Sequence, residues 1–273
     1  MTFWEIPAFF NIPTLGPLTA LLKSEASWRD EFPAWQAYSD ECEMLLTFAK
    51  DHGALELFWP RLRAKQQQRD EAVNEIRVAY FLGSVGYPII EWEPVDVGER
   101  KLEYTVAIPE PMLVEVKSPG WEAELSEEQR ASGRASEAKY RENVFDGGPA
   151  GPVQVIRRAA EKALPKFGGK RPSLVVISDD CFVNLAEWGW GPLTMALTQN
   201  VVGGYGPGVF LQPEYSTIGA MCLFQTVYYA DRTEIEYHAL CVANPNAKPS
   251  AIVPEEVVKR LTIKPRSLQR GAI

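Results

Sequence analysis

Met112-Leu113-Val114-Glu115-Val116-Lys117 decides the fold. Strand side chains alternate faces, so Met112, Val114 and Val116 point one way and Leu113, Glu115 and Lys117 the other. Glu115 and Lys117 therefore share a face, about 6–7 Å apart at their Cα atoms. Charged residues are rarely buried without a partner. A run this apolar that spends two positions on charges calls for a reason, and a bound metal ion supplies one.

Upstream, Leu102 to Ile108 alternates in the same way. Leu102, Tyr104, Val106 and Ile108 take one face; Glu103 shares the other with the small residues Thr105 and Ala107. Pro109-Glu110-Pro111 is a turn, so 102–108 and 112–117 form an antiparallel hairpin. Opposed residues of such a pair point to the same side. With the turn centred near Pro109 or Glu110, Glu103 lies opposite Glu115 or Lys117. Further back, a long helix is expected from near Pro60, tolerated in a first turn, to about Leu82. Ala72, Glu75, Val78, Ala79 and Leu82 fall on one side of it. From the helix alone, Glu75 is a boundary residue reaching to solvent, Arg77 or Arg69. Gly83, Gly86 and Pro88 end the helix, Tyr87 to Trp92 is a short strand, and Asp96 to Arg100 is a polar turn.

Downstream, residues 121–142 are charged and Ala/Ser-rich, a helix or a mobile connection. A helix opening at Pro152 has Val153, Ile156, Ala160, Ala163 and Phe167 as its apolar side. Leu174 to Ser178 is a continuous apolar run, as in a strand covered on both faces. Strand, helical crossover and strand give a parallel pair with a right-handed connection. Trp188 to Pro192 and Gly203 to Gly208 read as loops, the second without the lysine of a phosphate-binding loop. Residues 219–229 and 234–242 form a hairpin, with His238 on its solvent side, and Pro254 opens a last helix. At the other end, residues 1–33 form a Pro- and aromatic-rich arm with a short helix near 15–28. Ala34 to Lys50 is a helix closing at Gly53, with His52 at its C-terminal end. The division expected is 1–68 as a helical and aromatic extension and 69–273 as the main domain. Within the latter, 70–180 is the core and 181–273 supplies the hairpin and last helix.

The bulk numbers exclude several classes. With 273 residues, 46% apolar and 23% charged, the chain is an ordinary globular protein. No apolar run reaches the length of a membrane span, and the start lacks the pattern of a secretory signal, so the cytoplasm is the expected location and no membrane partner is expected. Cys42, Cys181, Cys222 and Cys241 show no zinc spacing, and only His52 and His238 are there to join them. They read as core residues of a reducing compartment. No Ser-His-Asp set is in view. The net charge of 28 − 36 = −8 argues mildly against a dedicated nucleic-acid binder. Local basic stretches nonetheless occur at 61–69 and at 157–171, the second including Arg157, Arg158, Lys162 and Lys166.

A helix with an acid, a strand with an acid, a turn and a strand with Glu-x-Lys resembles the PD-(D/E)XK, restriction-endonuclease-like, nuclease superfamily over roughly residues 70–180. The three letters occur three times, at Glu99-Arg100-Lys101, Glu115-Val116-Lys117 and Glu137-Ala138-Lys139. Only the second sits in an alternating apolar strand between a hairpin partner and a helix–strand crossover. The resemblance implies an α/β fold with a central mixed β-sheet flanked by helices and an N-terminal helical extension. It implies that Glu115 ligates Mg²⁺ or Mn²⁺ and that Lys117 orients or activates the attacking water. Glu103 would take the place of the first acid, Glu75 that of the helix acid, and the Val116 backbone carbonyl that of a further ligand. The family usually has Asp, often after Pro, where this chain has Leu102-Glu103. Pro109-Glu110 matches those letters, but its carboxylate lies in the turn, and Asp96 precedes the strand. Arg157, Arg158 and Lys162 are candidates for phosphate contacts, against the plainer reading of a solvated helix face. The implied activity is a metal-dependent endonuclease-like phosphodiesterase acting on nucleic acid, with DNA expected, in restriction, repair or phage defence. Many such nucleases are homodimers. The alternatives are a catalytically inactive nuclease-fold binding or scaffold protein, and an unrelated α/β interaction protein with an accidental Glu-x-Lys. The last requires Glu103 and Glu115 on opposite faces or more than about 10 Å apart, since hard metals bind at little over 2 Å.

Overall fold

The structure, a computed structural model, describes residues 35–63, 66–118, 152–179, 190–201, 206–228, 235–262 and 266–267. The helix expected near 15–28, the connection 121–142 and Cys181 lie outside them. The helices and strands run α1 (Trp35–Asp51), α2 (Leu55–Leu62), α3 (Gln66–Ser84), β1 (Ile89–Trp92), β2 (Val95–Val97), β3 (Arg100–Lys101), β4 (Tyr104–Val106) and β5 (Met112–Lys117). They continue as α4 (Pro152–Ala163), β6 (Ser173–Asp179), α5 (Trp190–Thr198), β7 (Asn200–Val201), β8 (Gly206–Pro207), β9 (Ala220–Tyr228), β10 (Ile235–Ala243), α6 (Glu255–Leu261) and β11 (Arg266–Ser267). Two compact units result. One draws its described residues from Met1–Pro88, Thr226–His238 and Pro265–Ile273, the other from Ile89–Gln225 and Ala239–Lys264.

One sheet has the order β1-β4-β5-β6-β9-β10-β11, of which β1, β4, β5 and β6 belong to the second unit. β1 with β4 and β4 with β5 are antiparallel, while β5 with β6 and β6 with β9 are parallel. The expected α/β class with a central mixed sheet is the observed one. Leu113, Val175, Ile177, Met221 and Leu223 share a core with Ile156, Ala160 and Ala163 of α4 and with Leu193, Ala196 and Leu197 of α5. That is the predicted apolar side of α4, and it covers the sheet face to which Glu115 and Lys117 belong by strand parity. Gly219 is a required glycine. A Cβ there would lie 1.8 Å from the Ala251 carbonyl oxygen, while its N–H bonds the Ser173 carbonyl at 3.0 Å.

Three elements differ from expectation. The helix expected from Pro60 to Leu82 is two helices, and Pro60 lies inside α2. Pro60 has no N–H to offer the carbonyl of Glu56, and α2 closes within a turn, with the Arg63 N–H on the Trp59 carbonyl. β4 is shorter than 102–108 because the Leu102 N–H turns to the Pro94 carbonyl at 2.8 Å, at the mouth of the β2–β3 hairpin. Trp190-Gly191-Pro192, expected in a loop, is the first turn of α5, where a proline lacks only an N–H that has no helical partner anyway.

The first unit is organised around a buried ion pair. Arg77, 1% exposed, donates from Nε to Glu41 Oε1 at 2.7 Å and from Nη2 to Glu41 Oε2 at 2.9 Å. Its Nη1 bonds Asn74 Oδ1, and the Tyr237 hydroxyl donates to Glu41 Oε1 at 2.7 Å. A buried carboxylate held by a bidentate guanidinium and a hydroxyl is well satisfied. Cys42, Cys222 and Cys241 are buried, as core cysteines should be. Among the described residues no helix is long and apolar enough to cross a membrane.

Burial, reinforced by the Glu41 carboxylate, holds the Tyr237 hydroxyl well above the usual tyrosine range. Above about pH 10, where a free tyrosine ionises, the unfolded chain releases this proton and the folded chain keeps it. Stability therefore falls as pH rises past that point. Tyr237→Phe should lower stability at pH 7 by about 1–2 kcal/mol, through the lost donor to Glu41, and flatten the alkaline decline. Urea unfolding at pH 7 and pH 10.5 checks both, and an unchanged alkaline slope contradicts the assignment.

Candidate functional site

The β4–β5 register pairs Tyr104 with Val114 and Thr105 with Leu113. Of the two registers the sequence allows, this is the one centred on Pro109. Glu103, one residue before β4, donates its N–H to the Val114 carbonyl at 3.1 Å, and its carboxylate comes to the same Lys166 ammonium as that of Glu115. Glu103, Glu115 and Lys117 thus share one face, the last two as alternate strand residues must.

The Glu115 side chain has no solvent exposure. Its carboxylate takes an ion pair from Lys117 on Oε1. A second ammonium, Lys166, lies 2.6 Å from Oε1 and 2.8 Å from Oε2 of Glu115, and 3.7 Å from Oε1 of Glu103. The two lysine side chains keep 20% and 22% exposure and Glu103 keeps 17%, so the cluster is buried at Glu115 and opens outward. Among the described residues the cluster sets two carboxylates against two ammoniums, whose formal charges balance.

Local structure fixes Lys166. It ends the 3-10 turn Leu164–Lys166 that follows α4. Phe167, 4% exposed, anchors the next residue in the core. The Gly168 N–H donates to Asp96 Oδ2 at 2.6 Å, which ties this segment to β2. The Ser250 hydroxyl donates to the Gly169 carbonyl at 2.6 Å, and Gly169 has φ +70°, a conformation that favours glycine. Asp96 therefore serves as a clamp on the Lys166 segment.

Among the described residues no group of three or more His, Cys, Asp or Glu side chains is placed to hold a metal ion. The donor set is Glu103 and Glu115. Mg²⁺ is commonly held by one or two carboxylates, with water and phosphate oxygens completing the octahedron, and the hard oxygens of this pair fit that chemistry. The backbone of Val116 faces the same neighbour. The Leu113 N–H bonds Pro172 on the β6 side, whereas the Val114 carbonyl accepts from Glu103 on the β4 side. Alternate residues face alternate neighbours, so the Val116 carbonyl is directed toward the β4 side too.

The remaining candidates lie elsewhere. Glu75 belongs to the other unit, where both its oxygens are taken by Arg61, Nη2 to Oε1 and Nη1 to Oε2, each at 2.5 Å. Arg157, Arg158 and Lys162 are on α4. Arg158 and Lys162 are exposed, and Arg157 is half-buried with Nη1 3.5 Å from the Gly206 carbonyl oxygen.

No family model matches the chain. No curated protein matches it either. Among solved structures, SfsA from Pyrococcus furiosus in complex with Ca²⁺ is similar over 63% of this chain and 60% of that one, at 16% identity and a TM-score of 0.21. The chain thus spans 60% of the length of that protein. A likeness at that level of superposition carries no functional argument.

Lys166 is the residue that sequence reasoning missed. It belongs to a run with Lys162, Lys170 and Arg171, and nothing in its spacing separates it from them. The one usable signal is its place next to Phe167, the last apolar residue of the helical stripe, just before Gly168-Gly169.

Removing the Glu115 charge leaves Lys117 and Lys166 with Glu103 as the carboxylate remaining in the described cluster. Breaking a buried pair costs about 3–5 kcal/mol, but both lysines can turn toward water. Glu115→Gln should therefore destabilise the protein by about 2 kcal/mol, measured by urea unfolding. A change under about 0.5 kcal/mol shows that the cluster does not hold the sheet face together.

Proposed function

We propose that this chain is a metal-dependent phosphodiesterase of the PD-(D/E)XK type acting on nucleic acid, with DNA as the expected substrate. The observation that supports it is the convergence of Glu103, Glu115, Lys117 and Lys166 on one patch at the end of the β4–β5 hairpin. In this reading Glu103 and Glu115 hold Mg²⁺ or Mn²⁺ together with the Val116 carbonyl. When bound, such an ion acidifies a water, orients the phosphate and stabilises charge on the leaving oxygen. Lys117 orients the attacking water and offsets charge gathering on the phosphoryl oxygens. One P–O bond forms to the water oxygen as one P–O ester bond breaks. The water gives up a proton and the departing alkoxide gains one, so a phosphomonoester and an alcohol result. Arg157, Arg158 and Lys162 supply sequence-independent phosphate contacts. Two copies of the chain together are the arrangement suited to cutting both strands.

A second reading, a catalytically inactive nuclease-fold binding protein, draws on the charge balance of the cluster, which Lys166 completes without any metal. The two separate on substrate. Plasmid, linear duplex and single-stranded DNA are incubated with the protein in Mg²⁺, in Mn²⁺ and with chelator. The proposal expects cleavage that the chelator abolishes. Lys117→Ala should lower the rate by at least about 100-fold while the fold is kept. Intact DNA under every condition, together with retained DNA binding, favours the inactive module. Cleavage that persists in Lys117→Ala removes the role given to that lysine.

A further inference from the structure

We infer that Lys166 is a built-in competitor for the metal position: its ammonium occupies the gap between Glu103 and Glu115, and a divalent ion binds only by displacing it. The inference rests on the metal-site reading of the preceding subsection and adds a regulatory residue that the Glu-x-Lys pattern does not contain.

The argument begins with geometry. Lys166 Nζ reaches both oxygens of Glu115, at 2.6 and 2.8 Å, and is 3.7 Å from Glu103. Lys166 thus bridges the two carboxylates, while Lys117 pairs with Glu115. An ion shared by the two acids at little over 2 Å would need the same oxygens. Both Glu115 oxygens are already engaged by Lys166, and this carboxylate is without solvent exposure, so water cannot take over for the ammonium.

Charge points the same way. With Lys117 and Lys166 in place the two carboxylates are neutralised. A divalent ion entering beside both ammoniums would raise the cluster to a formal +2, with like charges a few ångströms apart in partly desolvated surroundings. Lys166 is the group able to leave. Its backbone is pinned by Phe167 in the core and by the Asp96 and Ser250 hydrogen bonds, but its side chain is 22% exposed and can swing its ammonium to water on a flexible four-carbon stem. Lys117 stands on the same strand as Glu115, two residues away, and stays beside it.

The consequence is a threshold: the wild-type site takes up metal more weakly than its carboxylates alone would. Calorimetric titration with Mn²⁺ tests this on the wild type, Lys166→Met, Lys166→Arg and Glu115→Gln. Lys166→Met should bind Mn²⁺ at least about tenfold more tightly than wild type, the Coulomb term being cut by solvent screening. Lys166→Arg, which keeps the charge, should bind no more tightly than wild type, and Glu115→Gln should lose binding. A second measurement needs no variant at position 166 to fold. In the wild type, amine-reactive labelling mapped by mass spectrometry should rise at Lys166 on saturation with Mn²⁺, because displacement exposes the amine. Wild type binding Mn²⁺ with Lys166→Met equal or weaker, or with Lys166 labelling unchanged, overturns the competition and leaves the metal site standing. Absence of Mn²⁺ binding in both the wild type and Lys166→Met overturns the metal site and the competition together.

Discussion

A carboxylate without solvent exposure cannot stand in a protein interior uncompensated. Glu115 is such a group, on an interior strand of the mixed sheet, and much of the second unit is built to satisfy it. Lys117 comes from the same strand. Lys166 comes from the turn after the crossover helix, and Glu103 from the antiparallel partner. Two neighbouring strands and a turn from much later in the chain are committed to one face because a lone ion there would cost several kcal/mol. Replacing the cluster with apolar residues would be the simpler way to stabilise a sheet. Its presence favours the proposed functional role, since ion clusters of this kind often gather where chemistry is done.

The scaffolding follows from that requirement. β5 is paired on both sides, antiparallel to β4 and parallel to β6, which fixes its register and keeps its charged residues on one face. Slipping by one residue would send Glu115 to the opposite face. α4 lies over this face and delivers the chain to the Lys166 turn. The clamps around that turn, Asp96 on Gly168 and Ser250 on Gly169, hold its backbone while leaving the lysine side chain room to move. The first unit solves a similar problem differently. Arg77 and Glu41 are both nearly without exposure and are closed by Tyr237 and Asn74. That network is sealed, whereas the Glu115 cluster opens to solvent through its lysines. A sealed ion pair suits a structural role, and an open one suits a ligand.

Much of this was legible in the sequence, for identifiable reasons. The alternation of 112–117, the turn at Pro109 to Pro111 and the continuous apolar run at 174–178 are period-two and punctuation signals, and the sheet carries all three. The stripe of α4 is a helical-period signal and was equally readable. The juxtaposition of Glu103 with Glu115 came from the hairpin register alone. What did not come through depends on tertiary choice. Nothing local says that Leu102 bonds Pro94 and so cuts β4 short. Glu75 was expected to reach solvent, Arg77 or Arg69, but Arg61 on α2 meets it, a partner that only helix packing can select. Lys166 was hidden for the same reason: its role is set by the turn that returns the chain from α4 to β6, and the sequence shows only one lysine among several.

The central claim is that these carboxylates form a cation site whose resident cation is a lysine. Crystals soaked in Mn²⁺ and measured at the manganese absorption edge test it most directly. The account predicts an anomalous peak about 2 Å from oxygens of both Glu103 and Glu115, with the Lys166 ammonium turned away and Lys117 still in place. A site without manganese density, with Lys166 still seated on Glu115, contradicts it.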